Sequence, residues 1–185
     1  MTFQPDLDAY FTRIGYAGPR TVDRATLDAI VRAHISALPF ENIDVLLDRG
    51  VDLEPAAVER KLVHARRGGY CFEHNSHLLH VLGALGFAVT PLSARVRIQR
   101  PRDFTPARTH LFVRVDLDGP LLADVGVGGL SPTASLRLDL IDEPQPTPHE
   151  TRRIVRVGGP DDGRWFHQAR LGDDWADVCE FTGEV

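Results

Sequence analysis

Apolar residues recur three and four apart through the first half of the chain, then two apart through the second. Leu7, Tyr10, Phe11 and Ile14 form one short helical stripe closed by Gly15. Leu27, Ile30, Val31, His34, Ile35 and Leu38 form a second, ended by Pro39, with Thr21 as its expected N-cap. A third helix is expected from near Pro55 to just before Gly68 and Gly69, carrying Val58, Leu62 and Ala65. A fourth runs from about Cys71, with Leu78, Leu79, Leu82 and Leu85 inward and Gly86 as its stop.

Beyond Gly86 the period changes. The stretch Arg95 to Gln99 alternates, and so does His110 to Leu117, where Leu111, Val113, Val115 and Leu117 share one face while His110 and Phe112 take the other. Asp118-Gly119-Pro120 reads as a turn into a strand from Leu121 to Val125. Three prolines make 142–150 an exposed loop, and strands resume at Arg153–Val157, Arg164–Ala169 and Trp175–Phe181. Helices followed by antiparallel strands indicate an α+β fold, a helical unit packed on a β-barrel or curled sheet. The expected division is a helical unit over residues 1–86 and a β unit over 87–185.

Composition changes this picture little. With 185 residues, 43% hydrophobic and 25% charged, the chain buries a core without staples. A net charge of −5 argues against a nucleic-acid partner. Arg95, Arg97, Arg100, Arg102 and Arg108 read as a solvated strand-and-loop edge, with attraction of an anionic cofactor as the sharper alternative. No apolar run reaches the length of a membrane span, and the first ten residues lack the features of a signal peptide, so the expected setting is the reducing cytoplasm.

The chemistry concentrates in 66–75, Arg-Arg-Gly-Gly-Tyr-Cys-Phe-Glu-His-Asn. Two glycines free the backbone to turn sharply, and Cys71 falls at a helix start, where partial positive charge favours a thiolate. Arg67 is close enough in sequence to add to that field. A nucleophile needs a base, and the base an orienter. His110 and Asp124 share strand parity, but pairing Leu117 with Leu121 leaves them four residues apart, roughly 13 Å, so contact requires a slipped register. The competing readings are an inert buried cysteine, a satisfied strand histidine and a turn-capping aspartate. Cys71, His74, His77 and His80 also recur every three residues, like metal ligands. Over nine residues a helix turns Cys71 and His80 to opposite sides, so no metal is expected. Cys179 reads as strand packing.

Four segments together carry a resemblance. Arg67-Gly68-Gly69-Tyr70-Cys71-Phe72-Glu73 is similar to the active-cysteine motif of the arylamine N-acetyltransferases, and Leu38-Pro39-Phe40-Glu41-Asn42-Ile43 to their upstream motif. Arg108-Thr109-His110 and Asp124-Val125-Gly126-Val127-Gly128-Gly129 resemble the family's histidine and aspartate motifs. The resemblance implies a helical bundle, then an antiparallel β-barrel, with a cysteine-protease-like triad of Cys71, His110 and Asp124 between them. It implies acetyl-coenzyme A as co-substrate, without a metal, and an arylamine or hydrazine as acceptor. Glu41 and Arg67 would pair to hold the cysteine loop, and Gly126, Val127, Gly128 and Gly129 would lie beside the coenzyme A arm. Phe40, Phe72 and Val127 would line the acceptor pocket, with Val127 standing where Phe is common. In the family a third, lid-like domain follows. A chain ending at Val185 without it is expected to acetylate weakly and to self-associate through the uncovered edge. A cysteine-triad hydrolase, an amide synthase with another acyl donor, and a non-catalytic fragment remain the alternatives.

Overall fold

The computed structural model describes residues 3–159 and 163–184; Met1, Thr2 and Val185, at the outer bounds of the two expected units, lie outside them. Five helical segments come first. α1 spans Leu7–Ile14 and ends on Gly15, whose φ of 68 supplies the left-handed cap. α2 spans Arg24–Ala37. Its N-cap is Asp23, accepting from Thr26 N–H at 2.8 Å, and not Thr21, whose hydroxyl bonds to Asp23 and Thr26 instead. α3 is the short turn Ile43–Leu46. α4, Pro55–Glu59, runs into a π-helical turn over Arg60–His64, so the third expected helix is half as regular as its stripe implied. α5 spans Cys71–Ala84.

Eight strands follow: β1 Ala88–Val96, β2 His110–Leu117, β3 Gly119–Ala123, β4 Leu136–Arg137, β5 Gln145–Pro146, β6 Thr151–Val157, β7 Arg164–Leu171 and β8 Asp174–Phe181. They form one antiparallel sheet ordered β4-β3-β2-β1-β8-β7-β6-β5, curled into a nearly closed barrel. The gap between β4 and β5 is bridged by a side chain. Gln145 accepts from Arg137 N–H at 2.7 Å and donates to Arg137 C=O at 2.9 Å, as a neighbouring strand would. The stretch expected to be an exposed loop therefore supplies a buried closing residue.

Alternation along β2 and β3 sorts two cores. Val113, Val115, Leu121 and Ala123 pack with Leu27, Ile30, Leu78 and Leu82 under the helices. Phe112 and Leu122 turn the other way, into the barrel, with Leu92, Ile154, Cys179 and Phe181. The arginine-rich stretch is a solvated edge at Arg100 and Arg102, which are exposed, but it also carries structural anchors. Arg97 is buried against Glu180 (2.7 Å from Nε) and donates to Pro101 C=O, Arg102 pairs with Asp177, and Arg108 donates to Ser93 and Thr182. Among the described residues, no helix is long and apolar enough to cross a membrane.

Candidate active site

The cysteine loop is held by a crossing chain. The segment Pro39–Glu41 runs beside Gly68 and Gly69: Gly69 N–H donates to Pro39 C=O at 3.2 Å and Glu41 N–H to Gly69 C=O at 2.8 Å. A Cβ on Gly68 would lie 2.1 Å from the Pro39 oxygen, and one on Gly69 2.7 Å from Glu73 Oε2. Neither glycine has a positive φ. Close approach, and not backbone freedom, is what requires them; the left-handed residue here is Arg66, with φ 55.

Cys71 is the first residue of α5, mostly buried, and its thiol donates to Thr109 C=O at 3.3 Å. The start of the helix is secured by Glu73, which accepts from Tyr70 N–H at 3.0 Å and from Lys61 at 2.7 Å. Lys61 projects from the π-helical turn and also reaches Asp44 at 2.9 Å. Asp44 in turn binds Arg67 at 2.9 Å, closer than the expected partner Glu41 at 3.3 Å. The two bases beside Asp44, by hydrogen bond first and charge second, hold its carboxyl down at about 2. Arg67 is thus engaged in bracing the loop.

His110 opens β2, and Asp124 lies just past β3. The register pairs Leu117 with Gly119, Asp118 alone forming the apex, so Ala123 faces Val113. This is the slip that the simple turn lacked: His110 and Asp124 end two residues apart, and His110 Nε2 meets Asp124 Oδ2 at 2.8 Å. Burial works against the imidazolium, but the charge and hydrogen bond of Asp124 outweigh it, and Cys71 adds to them, so His110 is pushed up to about 10. With Nε2 on Asp124, Nδ1 is the nitrogen left for Cys71. Burial likewise works against the Asp124 carboxylate. His110, the Gly126 N–H and the Asn75 amide overcome it and keep Asp124 below the usual carboxylate range.

Asn75 ties these parts together. One turn after Cys71 on α5, and fully buried, it donates to Asp124 Oδ1 at 2.9 Å and to Leu111 C=O at 2.6 Å, and accepts from Val125 N–H at 3.0 Å. Gly126 lets that loop close on the helix, since a Cβ there would lie 2.8 Å from Cys71 Cα. Val127 N–H donates to Ser131 Oγ at 2.9 Å, and Gly128 starts a 3-10 turn through Leu130. A cleft of about 420 Å³ is walled by Pro39, Phe40, Val125, Gly128, Gly129 and Ser131 among others; Val125 and Gly128 belong to the loop that Gly126 packs on α5, but Cys71, His110 and Asp124 are not among its walls. Phe72 and Val127 are not among its walls; the Phe72 ring lies against Tyr70, centroids 5.7 Å apart. The other helix histidines diverge: His74 binds His34, His77 lies edge-on to Tyr10 and His80 meets Phe3. The motif resemblance singled out Cys71, His110 and Asp124, which spacing alone left open. It passed over Asn75, Lys61, Asp44 and Glu73, of which only the i+4 spacing of Asn75 from Cys71 was a usable signal.

The fold and sequence resemble those of known proteins. A model of the N-acetyltransferase family matches residues 23–185. An arylamine N-acetyltransferase of Mycolicibacterium smegmatis is 45% identical over 97% of this chain and 65% of its own length. One of Escherichia coli is 42% identical over 96% of this chain and 61% of its own. The solved arylamine N-acetyltransferase of M. tuberculosis superposes with a TM-score of 0.90 at 41% identity, over 97% of this chain and 67% of that one. That of Mycobacterium marinum in complex with CoA gives 0.88 at 41%, over 96% and 65%. The chain spans less than two thirds of the length of the two curated relatives named. On fold, sequence and coverage alike, the chain belongs to the arylamine N-acetyltransferase family.

Proposed function

We propose that this chain transfers an acetyl group from acetyl-coenzyme A to an arylamine or hydrazine, with Cys71 as nucleophile, His110 as its base and Asp124 as the orienter. The observation that carries this reading is the buried His110–Asp124 pair at 2.8 Å, which leaves the second ring nitrogen to a cysteine at a helix N-terminus. The CoA complex of the M. marinum relative supports the donor. Residues 1–86 act as the unit bearing the nucleophile and residues 87–185 as the unit bearing base and orienter.

Cys71 sulfur attacks the thioester carbonyl, and the coenzyme A sulfur leaves with its electron pair, taking the proton that His110 drew from the thiol. Cys71 then carries the acetyl group as a thioester. The amine nitrogen attacks that carbonyl while His110 accepts its proton. The carbon–sulfur bond breaks, and Cys71 and His110 return to their starting state. Gly126 to Gly129 border the donor, and Phe40, with Phe72 and Val127 nearby, borders the acceptor. The pair Glu41–Arg67, extended through Asp44, Lys61 and Glu73, keeps the cysteine loop rigid.

The polypeptide of residues 1–185, taken by itself, should transfer weakly and self-associate. Phe40 and the apolar side chains Ile43, Val45, Leu46 and Leu47 are exposed beside the site, and open sites admit water to an acyl-enzyme. The test is coenzyme A release before any amine is added. A burst of one equivalent per chain, abolished by Cys71→Ser and followed by slow release that an aromatic amine accelerates, supports the acetyl-cysteine route. No release from a chain whose Cys71 still alkylates contradicts it, and continuous release unaffected by amines favours a hydrolase.

A further inference from the structure

A hydrogen-bonded chain crosses the helical core and ends at the wall of the cleft. Tyr10 of α1, His34 of α2 and His74 of α5 are all buried. The Tyr10 hydroxyl lies 2.9 Å from His34 Nδ1, His34 Nε2 lies 2.8 Å from His74 Nδ1, and His74 Nε2 lies 3.1 Å from the Pro39 carbonyl. A carbonyl only accepts, so His74 Nε2 carries a proton. Burial lowers the proton affinity of both rings, which keeps each neutral. It follows that His74 Nδ1 accepts, His34 Nε2 donates, His34 Nδ1 accepts and Tyr10 donates. Each bond in the chain has one donor and one acceptor, and its direction is set by the Pro39 end.

That end bears on the site. The Pro39 carbonyl also takes the Gly69 N–H of the cysteine loop. The next residue, Phe40, lies nearly parallel to the His74 ring, 17° between planes and 6.1 Å between centroids. On the glycine-loop side, a Cβ at Gly128 would come within 3.3 Å of the Phe40 ring. Phe40 is nevertheless 46% exposed, so a ligand in the cleft can reach it. The ring is therefore set by two neighbours and open elsewhere.

We propose that His74 is a positioning residue for the acceptor: through its bond to Pro39 and its ring against Phe40, it sets the aromatic wall of the cleft, which shares Val125 and Gly128 with the loop packed on Cys71, and so favours aromatic amines. This rests on the reading of the cleft as the acceptor site, but not on acetyl transfer taking place. Phe at position 74 keeps a ring and abandons the Pro39 carbonyl and the His34 N–H. Gln keeps a donor and an acceptor and abandons the ring.

The experiment measures protection of Cys71 from iodoacetamide by aniline, with ethylamine as the non-aromatic control, in the unmodified chain and in His74→Gln and His74→Phe. Aniline should protect and ethylamine should not. The half-protecting aniline concentration should rise about threefold in His74→Gln and about tenfold in His74→Phe, as expected when a buried bond is lost and its partners stranded. Alkylation without aniline should stay within about twofold throughout, because Gly69 and Glu41 hold the cysteine loop to the Pro39 segment without His74, and among the described residues no side-chain hydrogen bond joins Tyr10, His34 or His74 to Cys71, His110 or Asp124. Failure of acetyl transfer leaves this readout intact, so the two readings fail separately. Absence of aniline protection in the unmodified chain, or an unchanged half-protecting concentration in both variants, overturns the proposal. So does an equal change in unprotected alkylation, which would mean that His74 acts on Cys71 itself. Should His74→Phe not fold, His74→Gln decides alone: a rise of about threefold supports the proposal and no change overturns it.

Discussion

Replacing Asp124 by asparagine keeps the shape of the side chain and removes its charge, and the hydrogen bonds dictate how the amide must sit. Oδ1 accepts from Asn75 and from Gly126 N–H, at 2.9 and 3.0 Å, so the amide oxygen stays there. The amide nitrogen is then left facing His110 Nε2, which must accept. His110 becomes neutral with its proton on Nδ1, facing Cys71, and cannot take a proton from the thiol. Losing the carboxylate also removes the main influence that holds His110 up at about 10 against its burial, so its proton affinity falls. A thiol facing a neutral imidazole has no cation to support its thiolate. The rate of Cys71 alkylation by iodoacetamide, followed from pH 5 to 9.5 in Asp124→Asn, should fall by about two orders of magnitude near pH 6 and converge with the unmodified chain near pH 9. Superimposable profiles from a variant with unchanged circular dichroism would refute the role of Asp124 and the tautomer argument with it.

Three other outcomes follow from the same geometry. Limiting iodoacetamide should label Cys71 and spare Cys179, which is enclosed in the barrel where burial pushes its thiol well up; peptide mapping that finds equal labelling contradicts this. Gly126→Ala should lower both stability and Cys71 alkylation, by roughly 1–3 kcal/mol for the former, because its Cβ would meet Cys71 Cα at 2.8 Å and Asn75 Nδ2 at 2.6 Å; a urea midpoint equal to that of the unmodified chain contradicts it. His77 is buried with neither ring nitrogen bonded among the described residues, and burial lowers it to about 3. The unfolded chain therefore takes up the proton first, so the stability this histidine contributes is full above about 6.5 and drains away as pH falls, by about 2 kcal/mol at pH 5. His77→Leu should raise the urea midpoint at pH 7 and shrink its decline between pH 7 and 5; an unchanged decline contradicts the assignment.

Period and punctuation in the sequence located what is local. Helix α1 ends on Gly15, α5 begins at Cys71, and the faces of β2 divide as alternation requires. What escaped depends on parts of the chain meeting. The β2–β3 register turned on Asp118 alone forming the apex, with Gly119 at φ 99, and nothing in the alternation distinguishes Gly119 from Leu121 as the partner of Leu117. Gly68 and Gly69 were legible as glycines, but the reason for Gly68 is the carbonyl of Pro39, 29 residues earlier, passing too close for a side chain, and the reason for Gly69 is the side chain of Glu73. The arginines from 95 to 108 read as surface because charged residues usually are. Arg97 is buried because Glu180, 83 residues away, meets it. Asn75 had the spacing of a residue facing the same way as Cys71, yet its role exists only once Asp124 and Leu111 are brought to it.

The central claim is that Cys71 itself carries the acetyl group between donor and acceptor. Incubating the chain with acetyl-coenzyme A, quenching in acid and mapping peptides by mass spectrometry tests it directly. The account predicts one acetyl group, on the peptide containing Cys71, discharged by an aromatic amine and absent from Cys71→Ser and strongly reduced in Asp124→Asn. An acetyl group found on Cys179 or on a lysine, or none at all in a chain whose Cys71 remains reactive to iodoacetamide, would contradict it.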